Sequence, residues 1–513
     1  MNLSRLAAWL LPRRMYERLA ASPLGKRLAR GFFWIVVGTT ISRGLAMAAW
    51  VAVARMLGRE MLGAVGIIQG TAGMFQAAAA LGPGITATKH VAEFRKSDPA
   101  KAGRVLALAV GVAIACATLL AVVLFLLAPW LAANVLAAPH LGGVLRIAAL
   151  MPLFGALIGT QTGALAGLEA FRTIARVSLI HGLCSFPLLV LGATLGRLHG
   201  VIWALVASQI VGCVLNSVAL HREKARAGIA FGAPRGVEDW RVLWKFSLPA
   251  AVSSLVGPPV IWACLAILAN QRGGYVELGL LSAAERWRPV ILVLPIMLGN
   301  ASLPILSDLA ARDRDPEAMR RVLVAVQGIC IALLLPFGVG LMFLARPVMG
   351  LFGKGFAAGA PVLLGIVLGA TVSGVGRAAG NAIIAKGRMW FGALQNGTWS
   401  ALMLGFVWRL APTLGARSYA LGFAISYEIL LVWSLVVLRK DVAPGMISRG
   451  IGVGVYLAVA AWLCLATSER VRLLLAGPAI GVAVAIGIVC LLTSRPPAAA
   501  NFDHPDSSEE IGS

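Results

Sequence analysis

Three charged side chains stand close together in an apolar stretch, LSAAERWRPVILVLP, which runs from Leu281 to Pro295. They are Glu285, Arg286 and Arg288. Charge at bilayer depth is costly, so it usually marks a functional site or a tight internal ion pair. Glu285 and Arg288 are three residues apart and share a helical face, whereas Arg286 points about 100° away. The spacing fits an ion pair between Glu285 and Arg288 or a ligand contact by both. Arg286 lies on another face of the helix and takes no part in such a pair.

Few other charged residues fall inside long apolar stretches. Arg43 lies in VVGTTISRGLAMAAW, Arg377 in TVSGVGRAAGN and Glu428 in FAISYEILLVW. Four arginines against two carboxylates leave an excess of positive charge, which favours an anionic solute. The planar guanidinium group suits phosphate because it donates paired hydrogen bonds and stays protonated when partly desolvated. We therefore interpret Arg43, Arg286, Arg288 and Arg377 as substrate-binding candidates, although an ion pair explains Arg288 and Arg377 equally well.

The remaining polar residues of these stretches each have two interpretations. Glu285 and Glu428 are either coupling sites for a proton or cation, or ion-pair partners of the arginines. Gln69, Asn300 and Asn381 either line an aqueous path or hydrogen-bond neighbouring helices, and the second is the default. The spacing of Cys and His residues matches no metal-binding pattern. We expect no metal and no cofactor.

The composition sets the class of protein that must position these residues. The chain has 513 residues, of which 59% are hydrophobic and 13% are charged, whereas soluble proteins have about 25% charged residues. Its mean hydropathy is +0.86. We predict an all-α polytopic membrane protein.

Runs of about 20 apolar residues, the length that crosses a bilayer core, predict about fourteen transmembrane helices. Their approximate limits are 31–54, 62–82, 104–128, 143–167, 174–196, 200–221, 243–269, 278–303, 321–345, 361–385, 389–411, 418–438, 447–467 and 472–493.

Lys and Arg concentrate in alternate loops, which sets the predicted orientation. The segment before the first span, the loop after the second and the loop after the sixth are all basic. Cytoplasmic loops retain positive charge, so both termini are predicted to be cytoplasmic. The formal net charge of +24 then reflects this bias and contact with membrane lipids, and we expect no nucleic-acid partner.

An internal repeat relates the two halves of the chain. GPGITATKHVAEFRKSDPAKAGRVL begins at Gly82 and aligns without a gap on GNASLPILSDLAARDRDPEAMRRVL, which begins at Gly299. The repeat offset is 299 minus 82, or 217. Two parallel six-helix repeats follow, related by a pseudo-two-fold axis along the membrane normal, with an appended C-terminal helix pair. In transporters such halves rock about a central site, although a duplication that only stabilises the fold is the alternative.

The same offset matches Arg286 to Gln69, inside the apolar run of the second span. This places the charged stretch within the bilayer.

The predicted organisation divides the chain into six parts. They are an amphipathic cytoplasmic segment (1–30), a first six-helix half (31–222), a cytoplasmic linker (223–240), a second six-helix half (241–440), helices thirteen and fourteen (441–493) and a disordered cytoplasmic tail (494–513).

The run SRGLAMAAWVAVARMLGREMLGAVGII, followed by LGPGITATKHVAEFRKSDP, resembles the start of polysaccharide repeat-unit flippases. These are the O-antigen and exopolysaccharide group of the multidrug, oligosaccharidyl-lipid and polysaccharide exporter superfamily. The resemblance covers about residues 31–440. It implies an inner-membrane protein that flips undecaprenyl-pyrophosphate-linked oligosaccharide, with pyrophosphate and acidic sugar in a cationic cavity.

The resemblance also implies possible partners, a polysaccharide polymerase and export machinery, and a complete path within one chain. Arg43 is similar to the first-helix arginine of lipid II flippases, so lipid II is an alternative cargo.

A cation-coupled drug exporter is disfavoured because arginine outnumbers glutamate in the spans. A membrane polymerase or glycosyltransferase would need a long loop with catalytic residues, and no such loop or motif occurs.

We expect reporter fusions after Arg104, Arg226 and Arg321 to report a cytoplasmic location, because each lies in a predicted inner loop or at its end. Alkaline phosphatase and fluorescent protein fusions at the three positions would measure it. An active phosphatase at any one of them would overturn the orientation.

Overall fold

The computed structural model describes residues 23–80, 83–230, 232, 256–312, 316–439 and 444–493, and all regular structure in these ranges is helical. The α-helices are α1 (Pro23–Ala80), α2 (Pro83–Phe94), α3 (Pro99–Trp130), α4 (Gly142–Ala148), α5 (Met151–Gly167), α6 (Phe171–Arg226), α7 (Gly257–Ala269), α8 (Gly274–Glu285), α9 (Arg288–Ile291), α10 (Val293–Arg312), α11 (Pro316–Phe343), α12 (Ala345–Gly350), α13 (Ala360–Ala385), α14 (Met389–Leu414), α15 (Ala416–Val437), α16 (Pro444–Ala466) and α17 (Glu469–Leu492).

Eight helical stretches of the described residues are long and apolar enough to cross a membrane. The chain is therefore an all-helical, multi-pass membrane protein, as its composition predicts. Residues 1–22, 233–255 and 494–513 lie outside the described residues. The predicted tail, much of the linker and most of the N-terminal segment therefore lie there too.

Two helices are much longer than one membrane crossing. α1 has 58 residues and bends at Gly58, where φ is 77°. α6 has 56 residues and bends at Arg197, where φ is 46°. At 1.5 Å per residue each would extend over roughly 80 Å, against a hydrocarbon core of about 30 Å. Each therefore consists of two limbs, and in α6 the limbs fold back until a Cβ at Gly192 would lie 2.4 Å from the Gly200 carbonyl oxygen.

Helix starts and bends recur at nearly the offset of the sequence repeat. α3 begins at Pro99 and α11 at Pro316, a separation equal to the repeat offset. α6 begins at Phe171 and α14 at Met389, one position more than the repeat offset. The bend of α6 at Arg197 has its counterpart in Gly415, the turn between α14 and α15, and this separation is again one position more than the offset.

Two glycines let the second limb of α1 and α8 approach closely. A Cβ at Gly63 would lie 1.9 Å from the Tyr275 carbonyl oxygen, and a Cβ at Gly279 would lie 1.9 Å from the Arg59 carbonyl oxygen. Each glycine thus packs against the backbone of the other helix. We call this end of the bundle, which also holds the bend at Gly58, the Gly58 end, and the opposite end, where α3 begins, the Pro99 end.

Hydrogen bonds to backbone carbonyls reinforce the Gly58 end. Arg55 Nε donates to the Leu351 oxygen over 2.7 Å. In the second bond the donor is in the later part of the chain: Asn270 Nδ2 donates to the Val135 oxygen over 2.7 Å. These bonds join segments 296 and 135 residues apart in sequence. The early and late parts of the chain are therefore held together at the Gly58 end.

We expect Gly63→Ala to lower the stability of the folded protein by about 1–3 kcal/mol, because the new methyl group forces the two backbones apart. Gly73→Ala, on the same limb, is the matched control, since nothing lies within 4 Å of a Cβ there. Thermal unfolding in detergent measures the difference. Equal melting temperatures for the two variants would contradict the close packing.

Candidate functional site

The charged stretch forms a break in what the sequence predicts as one continuous span, 278–303. α8 ends at Glu285, the short α9 starts at Arg288, and α10 starts at Val293. Proline has no N–H group, so Pro289 and Pro295 each remove one hydrogen bond to the carbonyl four residues earlier. These two losses explain why the helix breaks twice here. The prediction of an unbroken span is therefore wrong in this segment.

Arg286 lies in the first break and contacts two residues of α1. Its Nη2 donates to Gln69 Oε1 over 2.6 Å. Its guanidinium carbon lies 3.6 Å from the centroid of the Trp50 ring, a distance typical of a cation–π interaction. Trp50 is buried, so the arginine is held in a largely desolvated position.

Arg288 pairs with the carboxylate on its own helix face. Its Nε lies 2.7 Å from Glu285 Oε2, and the two side chains are 30% and 20% exposed. The guanidinium also lies 5.5 Å from the centroid of the Phe423 ring on α15. The second carboxylate oxygen, Glu285 Oε1, is buried without a hydrogen bond. The structure thus contains the ion pair that the spacing of Glu285 and Arg288 allows.

Arg43 joins the first limb of α1 to this break. Its Nη1 donates to the Pro289 carbonyl oxygen, and the side chain is half-buried. Arg43 thus contacts the segment that carries Arg286 and Arg288, and Glu285 is the acidic partner of Arg288. We call these four residues the arginine cluster.

A second polar group lies further along α10, toward the Pro99 end. Asn381 Nδ2 donates to the Gly299 oxygen over 2.7 Å, and a Cβ at Gly299 would lie 3.0 Å from Arg377 Nε. Arg377 is exposed, as is Asn300. Gly299 is seven residues beyond the break at Leu292, or about 10 Å along a helix. Arg377 and Asn381 therefore form a second group, separate from the arginine cluster.

Glu428 is not near the arginines. It lies on α15 against α16, where a Cβ at Gly454 would be 2.4 Å from both of its carboxylate oxygens. The structure brings together five of the predicted residues: Arg43, Gln69, Glu285, Arg286 and Arg288. Asn300, Arg377 and Asn381 lie toward the Pro99 end. Glu428 lies apart from both groups, against α16.

Trp50 contacts the arginine cluster, but the sequence did not mark it as a candidate. It follows Arg43 by seven residues, which is nearly two helical turns and places both on one face of α1. That spacing was available from the sequence. The contact of Trp50 with Arg286, which lies in the other half of the chain, was not.

A family model described as polysaccharide biosynthesis protein matches residues 28–310, more than half of the chain and every member of the arginine cluster. The chain belongs to the polysaccharide biosynthesis protein family. The resemblance to this family that was stated for the run beginning SRGLAMAAW is thereby confirmed.

Two relatives share the name EPS I polysaccharide export inner membrane protein EpsE. The protein of Ralstonia nicotianae is 26% identical over 357 residues, which cover 67% of this chain and 78% of the relative. That of Ralstonia solanacearum is 28% identical over 211 residues, which cover 40% of this chain and 47% of the relative. This member of the polysaccharide biosynthesis protein family is a multi-pass membrane protein.

Two solved structures have the same fold as this chain. An inward-facing multidrug resistance MATE family transporter of the MOP superfamily superposes with a TM-score of 0.67 at 15% identity, covering 78% of this chain and 95% of that one. The lipid II flippase MurJ in an inward closed conformation gives 0.66 at 15% identity, covering 90% and 97%. The fold is that of the MOP superfamily.

We expect Glu285→Ala and Arg288→Ala each to destabilise the protein by about 3 kcal/mol, because each leaves an uncompensated charge in the membrane interior. The double variant should recover much of this loss. Equilibrium unfolding in mixed micelles, analysed as a double-mutant cycle, measures the coupling.

Glu223 and Arg226 provide the matched control, since they have the same order and spacing but Arg226 is 74% exposed. Their coupling should be about 0.2–0.5 kcal/mol. Coupling of equal size in both pairs would mean that the cluster is as well solvated as the surface.

Proposed function

We propose that the chain translocates undecaprenyl-pyrophosphate-linked oligosaccharide repeat units from the cytoplasmic to the outer leaflet of the bacterial inner membrane, for polysaccharide biosynthesis. The observation that carries the proposal is the arginine cluster. Arg43 and Arg286 have uncharged hydrogen-bond partners and only Arg288 pairs with the one carboxylate, Glu285, which leaves a net positive site within the membrane. Such a site suits a pyrophosphate group.

In this proposal the chain crosses the membrane fourteen times, with both termini and the Pro99 end in the cytoplasm. The recurrence of helix starts at the repeat offset, or one position beyond it, supports two parallel six-helix halves, with α16 and α17 as the appended pair. The halves rock against each other, and each state opens the central site to one side of the membrane.

The contact between Gln69 and Arg286 supports a pseudo-two-fold axis through the cluster. The two residues are 217 residues apart, which is the repeat offset, so each is the counterpart of the other. In a two-fold arrangement a residue touches its own counterpart only beside the axis. The arginine cluster therefore lies at the centre, where both halves contribute to one site.

The closed Gly58 end supports an inward-facing state. Gly63 and Gly279 pack backbone against backbone there, whereas Arg377 and Asn300, toward the Pro99 end, are exposed. No described residue forms a hydrogen bond or ion pair with Arg377. In the proposed cycle Arg377 contacts the incoming pyrophosphate first. The group then reaches Arg43 and Arg286 about 10 Å deeper.

Lipid II is the second candidate cargo. Its support is the similarity to the lipid II flippase MurJ over 90% of this chain. Both cargoes carry a prenyl pyrophosphate, so the arginine cluster serves either one. The sugar attached to the pyrophosphate distinguishes them.

We expect Arg286→Lys to reduce transport about tenfold, or 1.4 kcal/mol, because lysine keeps the charge but loses paired hydrogen bonding. Arg286→Ala should abolish transport while the protein remains inserted. The measurement is the amount of lipid-linked oligosaccharide that reaches the outer leaflet, divided by the amount of inserted protein.

Arg417→Lys and Arg417→Ala are the controls, because Arg417 is exposed in the first turn of α15 at the Gly58 end. Both should transport normally. Full normalised transport by both Arg43→Ala and Arg286→Ala would refute the binding role of the cluster.

A further inference from the structure

Glu428 is a membrane-embedded carboxyl group that the proposed transport site does not use. It lies near the middle of α15 and faces Gly454, near the middle of α16. A Cβ at Gly454 would lie 2.4 Å from each carboxylate oxygen. The absence of a side chain at Gly454 therefore creates the space that the carboxyl group fills.

The neighbouring residue shows which way the carboxyl group faces. Tyr427 has its ring centroid 4.9 Å from that of Phe423, and Phe423 lies under the guanidinium group of Arg288. Successive residues of an α-helix differ in direction by about 100°. Tyr427 thus faces the arginine cluster, and Glu428 faces away from it toward α16.

No described residue neutralises a charge on Glu428. Its Oε2 is buried without a hydrogen-bond partner, and no ion pair among the described residues includes it. The helices packed against α15 are α8, α13, α14 and α16. Charged and titratable groups on these helices and on α15 are Tyr275, Glu277, Glu285, Arg377, Arg409, Arg417, Tyr419, Tyr427, Arg449, Tyr456 and Cys464.

Several of these groups have partners elsewhere. Glu277 accepts from the Ala416 backbone, Glu285 pairs with Arg288, Arg449 donates to Thr493, and Tyr456 donates to the Ala479 oxygen. None of the rest makes a hydrogen bond or ion pair with Glu428.

The outer edge of the α15–α16 seam is aliphatic. Ile425 and Ile429 on α15 are 38% and 41% exposed, and Ile451 and Val455 on α16 are 39% and 57% exposed. These surfaces are typical of contact with hydrocarbon. An ionised carboxylate between hydrocarbon and a glycine backbone costs several kcal/mol, whereas a protonated carboxyl group avoids this cost.

We propose that Glu428 is a proton-binding site which holds its proton while α15 and α16 are packed together, so that docking of the α16–α17 pair depends on pH. Separation of the seam admits water. The O–H bond of the carboxyl group then breaks, the proton passes to water, and the carboxylate that remains keeps the helices apart until it is protonated again. This role is independent of the cargo.

The first test is the infrared spectrum of the full-length protein in lipid nanodiscs at neutral pH. We expect a carboxylic-acid C=O band that Glu428→Gln removes, because glutamine is isosteric with the protonated side chain. Glu60→Gln is the control, since Glu60 is exposed near the Gly58 bend, and it should leave the band unchanged. A band that persists in Glu428→Gln, or its absence from the native protein, would overturn the proposal.

The second test measures the seam itself. Spin labels at Ile429 and Val455 should move apart in the native protein as the pH is raised from neutral to alkaline, and should keep one distance in Glu428→Gln. A distance that does not change with pH in the native protein would refute the link to docking.

Gly454→Ala provides a readout that does not require the glutamine variant to insert. Its methyl group would lie 2.4 Å from the carboxylate oxygens, so the carboxyl group is displaced from the enclosed space that it fills in the native protein. The C=O band should then titrate at a lower pH than in the native protein. An unchanged titration midpoint would overturn the proposal.

Discussion

A guanidinium group inside hydrocarbon must find acceptors within the protein, because the bilayer core offers none. Each arginine of the cluster meets this requirement in a different way. Arg43 donates to a backbone carbonyl, Arg286 to an amide oxygen while stacking on an indole, and Arg288 to a carboxylate. The arrangement of α1 and the α8–α10 segment follows from the need to bring these acceptors together.

The break in the eighth predicted span supplies part of that solution. In a continuous helix each carbonyl already accepts a hydrogen bond from an N–H group of the same helix. Here the helix is broken between α9 and α10, and the Pro289 oxygen, in α9, accepts from Arg43. Arg286 lies in the α8–α9 break and contacts α1. Local loss of helix therefore permits the positive charge to be kept inside the membrane.

Composition and periodicity predicted the helical membrane class, and the spacing of Glu285 and Arg288 predicted that they could pair. Three features could not be predicted in this way. Periodicity gives the direction of a side chain around its own helix but not the neighbour that it meets, so Trp50 and the position of Glu428 were missed. The double break depends on two prolines acting together, and single prolines are common in membrane helices without breaking them.

The contact between Gln69 and Arg286 has a consequence for how a duplicated chain diverges. In the proposed two-fold arrangement, both copies carry the same residue immediately after duplication, and beside the axis that residue faces itself. Two arginines there would repel each other, and two glutamines would bring no charge. A cation can occupy the axis only when the copies differ. Loss of identity at this position is therefore a condition for a charged centre, and the two halves cannot be interchanged however alike their helices are.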